Sequence, residues 1–220
     1  MALTLIAYLL SVKLKEKFKL TILNPILVSS ILIIIILVIF NIDYGAYNEG
    51  GKYISFLLTP ATVCLAIPLY QQLESLKKST KAIMIGISTG VITSLLSVSG
   101  LSILLNLDRI IYVSILPKSI TTAIAIGITE ELGGVQALTI LSLLVTGITG
   151  NVIGEYICKL FRIKNPIAVG LAIGTSSHAI GTSKALEIGE VEGAMSSLSI
   201  AIAGLLTVAL APIVANFILL

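Results

Sequence analysis

Gly174-Thr175-Ser176-Ser177-His178-Ala179-Ile180-Gly181-Thr182-Ser183-Lys184 is a polar island in an oily chain, and it holds the only histidine. Hydrophobic residues precede it from Ile167 to Ile173 and dominate again from Leu198 to Leu220. Glycines, hydroxyls, an imidazole and an ammonium therefore sit in or near hydrocarbon. Backbone polar groups at that depth need internal partners, so a glycine-rich interruption survives only inside protein or along a watery cavity. The stretch reads as a broken helix at a site. The plain alternative is a small-residue packing helix, with His178 as a satisfied core residue. Ionisable groups inside a membrane favour the functional reading.

The composition supplies the membrane. The 220 residues are 56% hydrophobic and 11% charged, with mean hydropathy +1.09. A span takes about 20 mostly apolar residues, so one membrane domain over 1–220 has room for about six to eight spans. The net charge of +3 lies in short loops and reads as a topology signal. No aromatic-basic patch suggests a nucleic-acid partner. Cys64 and Cys158 lie in hydrophobic segments and read as packing residues, not as a disulfide or zinc framework. Met1 to Leu10 lacks a basic lead and a small-residue cleavage pattern, so Leu3 to Val12 reads as a short membrane helix.

Loop charges set the topology. Basic loops occur at Lys13 to Lys19, at Lys77, Lys78 and Lys81, and at Lys159, Arg162 and Lys164. Apolar segments run over Pro25 to Phe40, Ile54 to Tyr70, Ala82 to Leu107, Val135 to Cys158, Pro166 to Ile188 and Ser196 to Leu220. Short basic loops stay cytoplasmic. All three share that face only if Ile110 to Leu132, with its island Pro117-Lys118-Ser119-Ile120-Thr121-Thr122, dips in and returns to the side it came from. The acidic loops, including Glu187, Glu190 and Glu192, then share the other face.

In that arrangement Ile54 to Tyr70, interrupted by Thr59, Pro60, Thr62 and Pro68, runs opposite to Pro166 to Ile188. The flanking spans invert too, Pro25 to Phe40 with Val135 to Cys158 and Ala82 to Leu107 with Ser196 to Leu220. Interrupted helices at corresponding places in antiparallel halves point to a midplane site in a secondary transporter. The expected fold is an all-α polytopic membrane protein, an inverted-repeat bundle with discontinuous helices.

Two stretches resemble the LrgB/CidB family: Leu116-Pro117-Lys118-Ser119-Ile120-Thr121-Thr122, and the run from Gly170 through Gly174-Thr175-Ser176-Ser177-His178-Ala179-Ile180-Gly181-Thr182 to Glu187, Gly189 and Glu192-Gly193-Ala194. Thr59-Pro60-Ala61-Thr62 with Ala66-Ile67-Pro68-Leu69-Tyr70 is similar to an earlier motif of that family. Where a proline commonly follows the two threonines, this chain has Ala123. The resemblance implies two traditions: antiholin-like control of murein hydrolase export and lysis, and, from plastid relatives, glycolate and glycerate translocation, with pyruvate movement tied to bacterial members. It also implies a small LrgA/CidA-like membrane partner and the bacterial cytoplasmic membrane.

A small carboxylate needs donors and positive charge. Half-helix amino termini supply both. Candidate substrate residues are Pro60, Thr62, Lys118, Ser119, Thr121, Thr122, Ser176, Ser177, His178 and Thr182, with Lys184 as a further cation. His178 titrates near neutrality and is the first candidate for proton coupling; sodium on unwound carbonyls and hydroxyls is the alternative. No cofactor, metal or enzymatic role is expected, because one Ser and one His lack a positioned carboxylate and an oxyanion hole. The leading reading is a secondary transporter of small monocarboxylates (pyruvate, glycolate, glycerate or lactate), by rocking or elevator-like movement. It would work as a homo-oligomer, a dimer in the simplest case. The alternative is an antiholin-like regulator of lysis acting through membrane oligomers.

Overall fold

The computed structural model describes residues 1–18, 23, 25–57, 60, 70 and 73–217, and among them regular structure is entirely α-helical. They group into two compact units, Met1–Leu65 and Ala66–Leu220. In the first unit α1 (Ala2–Phe18) packs on α2 (Pro25–Ile39), and Thr4 Oγ1 shares a 3.0 Å hydrogen bond with the Tyr47 hydroxyl of α3 (Tyr44–Phe56). The short helix expected at Leu3 to Val12 is part of α1, which continues to Phe18. Asp43 caps α3, accepting from Gly45 N at 2.7 Å. Most of the interrupted segment Ile54 to Tyr70, Thr62 included, lies outside the described residues.

The second unit holds α4 (Leu73–Leu104), α5 (Arg109–Ile115), α6 (Thr122–Glu131), α7 (Gln136–Leu160), α8 (Pro166–Ile188) and α9 (Glu190–Phe217). Among the described residues, three stretches are long and apolar enough to cross a membrane: Thr80–Leu104 in α4, Gln136–Leu160 and Glu190–Phe217. The 7 residues of α5 and 10 of α6 reach only about 10 and 15 Å at 1.5 Å per residue. Neither spans alone.

They form a re-entrant hairpin. The Tyr112 hydroxyl of α5 shares a 2.9 Å bond with Ser99 Oγ, and beyond α5 Ser119 Oγ shares one of 2.9 Å with Ser94 Oγ. The chain thus retraces α4 from its Leu104 end to Ser94, about 15 Å in. Then α6 climbs back. Thr129 Oγ1 meets Thr139 Oγ1 at 2.8 Å, Thr139 Oγ1 donates to Ser114 O at 2.8 Å, and Val135 N donates to Ser114 Oγ at 2.7 Å. The start of α7 therefore lies beside α5, near the end where the hairpin entered. The turn at the tip has local causes. Pro117 has no N–H to continue a helix, and Thr121 is extended (φ −70°, ψ 147°) before α6 begins.

A second hairpin faces the first. Asn165 caps α8, with Oδ1 accepting from Ile167 N at 2.9 Å and Ala168 N at 3.3 Å, and Pro166 occupies the first turn, where its missing N–H costs nothing. Helical dihedrals fail at His178 (φ 43°, ψ −144°). The chain reverses there. A Cβ placed on Gly181 would lie 3.1 Å from Ile173 Cγ2 and 3.2 Å from Ile173 O, although a straight helix would hold these residues about 12 Å apart. Val169 and Ala185, about 24 Å apart in a straight helix, share one buried cluster with Cys158 and Ile173. Both Gly174 and Thr182 touch Ser196. The two arms, 166–177 and 179–188, therefore lie against each other, close because Ser177 and Gly181 are small.

This corrects the expectation that Pro166 to Ile188 crosses. It returns to the end where Lys159, Arg162 and Lys164 stand exposed, so Glu187, Glu190 and Glu192 join that basic end instead of the opposite one. The inverse relation expected between Ala82 to Leu107 and Ser196 to Leu220 is corrected with it. The Tyr112 hydroxyl meets Ser99 Oγ of α4 and Val214 O of α9 (3.5 Å), while Val91, Ser94, Ala203 and Thr207 surround one small cavity, so α4 and α9 run parallel. The inversion relates other elements. After α4, which leaves the basic end, a hairpin enters from the opposite end; after α7, which returns, a hairpin enters from the basic end. Tyr112, Leu116, Ile120, Leu143, Met195 and Leu198 are buried in the core around the tips.

Candidate functional site

The two tips meet inside the bundle at a cluster of hydroxyls and one ammonium. Lys118 Nζ donates to Ser119 Oγ at 3.2 Å, and Ser119 Oγ is joined to Ser94 Oγ of α4. Lys118 and Ser176 border two clefts that flank the first arm of α8. One, of 680 Å³, lies between α4 and that arm and runs from Ala82 and Asn165 at the basic end to Ser94, Ser97, Lys118, Ser119 and Ser176. The other, of 570 Å³, lies between α7 and the same arm, with Ile157 and Cys158 toward the basic end and Lys118 and Ser177 at its depth. Both fall within the size range of small-molecule sites.

Close packing makes the tip possible. On α7, Gly147 faces His178 and Ile180, and Gly150 faces Ser177; any Cβ there would overlap the turn. The exposed polar groups of the reversal are met from the side. Asn151 Nδ2 donates to Ile180 O at 2.9 Å and Ser183 Oγ at 3.1 Å, and Thr182 Oγ1 donates to His178 O at 3.0 Å. His178 Nε2 lies 3.0 Å from Leu143 O; a carbonyl only accepts, so Nε2 carries the hydrogen. Internal satisfaction of this kind is what non-helical backbone at membrane depth requires.

The residues named from sequence separate into groups. Lys118, Ser119 and Ser176 border the larger cleft, and Ser177 borders the smaller, its hydroxyl 2.9 Å from that of Ser176. His178 and Thr182 are buried at 3% and 2% exposure and border neither; Thr182 Oγ1 also bonds Ser196 Oγ at 2.7 Å. Thr121 and Thr122 are half-buried at the start of α6, and the Thr121 side chain makes no capping bond. Pro60 is exposed in the first unit, and Thr62 lies outside the described residues. Lys184 faces Glu155 at 3.1 Å and Glu187 at 3.5 Å.

Sequence reasoning missed the α4 wall and Thr175. Gly86, Thr89, Gly90, Thr93, Ser94 and Ser97 recur at helical spacing along one face, a pattern visible in the chain once it is sought. Thr175 is 7% exposed, and its Oγ1 has no hydrogen-bond partner among the described residues, although it borders the larger cleft. A buried hydroxyl left unmatched in a cleft wall is a group ready for a ligand or a water.

The sequence model of the LrgB-like family matches residues 4–217. Over 212 residues the chain is 41% identical to the uncharacterized protein YxaC of Bacillus subtilis (strain 168), covering 96% of this chain and 92% of that one. Antiholin-like proteins LrgB of Bacillus cereus (strain B4264) and Bacillus anthracis (strain CDC 684 / NRRL 3495) are 40% identical over 195 residues, 89% of this chain and 85% of each relative. No solved structure matches the chain.

Proposed function

The chain belongs to the LrgB-like family, and from that premise, together with its paired hairpins, we propose that it is a secondary transporter of small monocarboxylates of the pyruvate, glycolate, glycerate and lactate class. One observation carries the reading: two re-entrant hairpins from opposite ends bring Lys118, Ser119 and Ser176 together at the depth of the larger cleft, and Lys118 and Ser176 border the smaller as well. Discontinuous helices meeting mid-membrane are how secondary transporters build substrate sites. The ammonium offsets the carboxylate, the hydroxyls orient its oxygens, and the uncapped start of α6 adds positive potential. Lysine and arginine mark the basic end of the bundle, toward which both clefts extend, as the cytoplasmic end in a bacterial cytoplasmic membrane. Movement of the hairpin bundle, coupled to protons or sodium, would expose the same site to the other side. A small LrgA/CidA-like protein and a second copy of this chain are the proposed partners.

The names of the Bacillus cereus and Bacillus anthracis relatives favour a second reading, an antiholin-like regulator of lysis acting through membrane oligomers. Both readings place the chain among membrane regulators or transporters, not enzymes. Uptake of labelled pyruvate and glycolate into proteoliposomes separates them. A transporter gives saturable, gradient-driven uptake that Ser119→Ala weakens. Large oligomers with unselective leakage, and no saturation, would favour the regulator.

A further inference from the structure

Among the described residues, the ammonium at the hairpin tip has no counter-charge. Lys118 contacts the Ser119 hydroxyl, and no carboxylate among the described residues pairs with it. The packed elements present neutral groups to it: Thr93, Ser94 and Ser97 from α4, Thr146 and Thr149 from α7, and Ser176 and Ser177 from α8. Charged groups lie elsewhere. Glu155 of α7 is held by Lys159 at 2.6 Å and Lys184 at 3.1 Å, Glu130 of α6 is bonded by Gln136, Arg109 of α5 reaches Ala215 O and Asn216, and α9 has no charged residue after Glu192. His178 is the titratable group at the facing tip. Its ring is pinned to Leu143 O and borders neither cleft.

We propose that Lys118 is the proton carrier of the transport cycle, making it an electroneutral symport of one proton with one monocarboxylate. This rests on the transporter reading and names its coupling. The protonated amine binds the carboxylate, and the loaded site crosses with no net charge. On the far side the carboxylate leaves, the ammonium gives its proton to water, and the neutral amine returns to be protonated again. No covalent bond to the substrate forms. An empty site that kept its charge would be held back, because an uncompensated cation crosses hydrocarbon poorly. Lysine can shed that charge when buried, whereas arginine cannot.

The experiment uses the full chain in proteoliposomes with labelled pyruvate and an entrapped pH dye. Exchange is measured against internal unlabelled pyruvate, and net uptake is driven by an inward proton gradient. Wild type is expected to do both, to acidify the lumen in step with uptake, and to ignore an imposed potassium diffusion potential. Because arginine holds its proton, Lys118→Arg should lose more of net uptake than of exchange, the ratio of the two falling by at least about tenfold, and the exchange that remains should move no protons. Net uptake with proton movement preserved in Lys118→Arg overturns the proposal, as does potential-driven uptake by wild type. Exchange and net uptake falling by the same factor in the variant assigns Lys118 to binding alone and also overturns it. Wild type that performs no exchange, alone or with the small LrgA/CidA-like protein added, refutes the transporter reading itself.

Discussion

A methyl group on Gly174 tests the packing that holds the second hairpin. The first arm of α8 lies on α9 through Gly170 and Gly174, a GxxxG pair. A Cβ at Gly174 would overlap the Ser199 hydroxyl and the Ser196 carbonyl, and would stand 2.7 Å from Ser196 Cα. Two of these three atoms are backbone and do not swing aside. Carbon contacts settle near about 3.5 Å, so the helices must part by about 1 Å, which forfeits about a quarter to a half of the dispersion energy of each contact along the seam. Overpacking of this kind costs about 1–3 kcal/mol. Taking about 2 kcal/mol, roughly a 30-fold shift in the folding equilibrium, the midpoint in a protein of this size falls by about 4–8 °C. The chain has no tryptophan, but Cys158 is buried, so with Cys64 replaced by serine, thermal exposure of the Cys158 thiol to a fluorogenic maleimide in detergent reports unfolding. Gly100→Ala is the control. Its Cβ meets nothing within 4 Å, and alanine in a helix gains about 0.5–1 kcal/mol over glycine. A Gly174→Ala midpoint at or above that of Gly100→Ala would refute the close approach of α8 to α9.

Further outcomes follow from the same geometry. Cysteines at Val169 and Ala185, in a chain with Cys64 and Cys158 replaced by serine, should cross-link within one molecule with a short bifunctional maleimide, because both line one buried cluster; an uncross-linked product would mean that α8 crosses straight. Thr175→Val removes a buried hydroxyl that bonds nothing among the described residues, so it should leave the thermal midpoint unchanged or raised while weakening uptake. Thr182→Val, losing bonds to His178 O and Ser196 Oγ, should lower stability by about 0.6–1.7 kcal/mol in a membrane setting, and equal midpoints for the two valine variants would contradict the assignment. Glu155→Gln breaks the pairs to Lys159 and Lys184, and because these groups are partly exposed the expected loss is under about 1 kcal/mol and shrinks with added salt.

Much of this was readable in the chain, and the misreading has a definable cause. Length and hydropathy identified α4, α7 and α9, and the lysine and arginine count required a returning segment at Ile110 to Leu132, where α5 and α6 fold back. The break near His178 was visible as glycines and hydroxyls. Its sense was not. Hydropathy reports that 166–188 lies in hydrocarbon but not which way it leaves, and 23 residues are enough to cross if straight. Glutamates count little in topology, so Glu187, Glu190 and Glu192 gave no contrary signal. The reversal depends on Gly181 meeting Ile173 and on Ser196 meeting both arms, contacts with no local signature. The same limit hid the α4 wall, since Thr93 and Ser94 look like ordinary helix residues until Ser119 is brought to them.

The position of α9 has a consequence for synthesis. It supplies the surface for Gly170 and Gly174, the carbonyl that meets Tyr112, and Gly204, against which Ile124 of α6 rests. Yet α9 leaves the ribosome after both hairpins. Until it arrives, two short, partly polar helical turns must wait at the insertion machinery or the membrane surface, unable to sink because their deepest wall has not been made. Assembly of the site is therefore a late event in the life of the nascent chain, and a ribosome stalled before Glu190 would hold a protein with α4 and α7 made and its centre unbuilt.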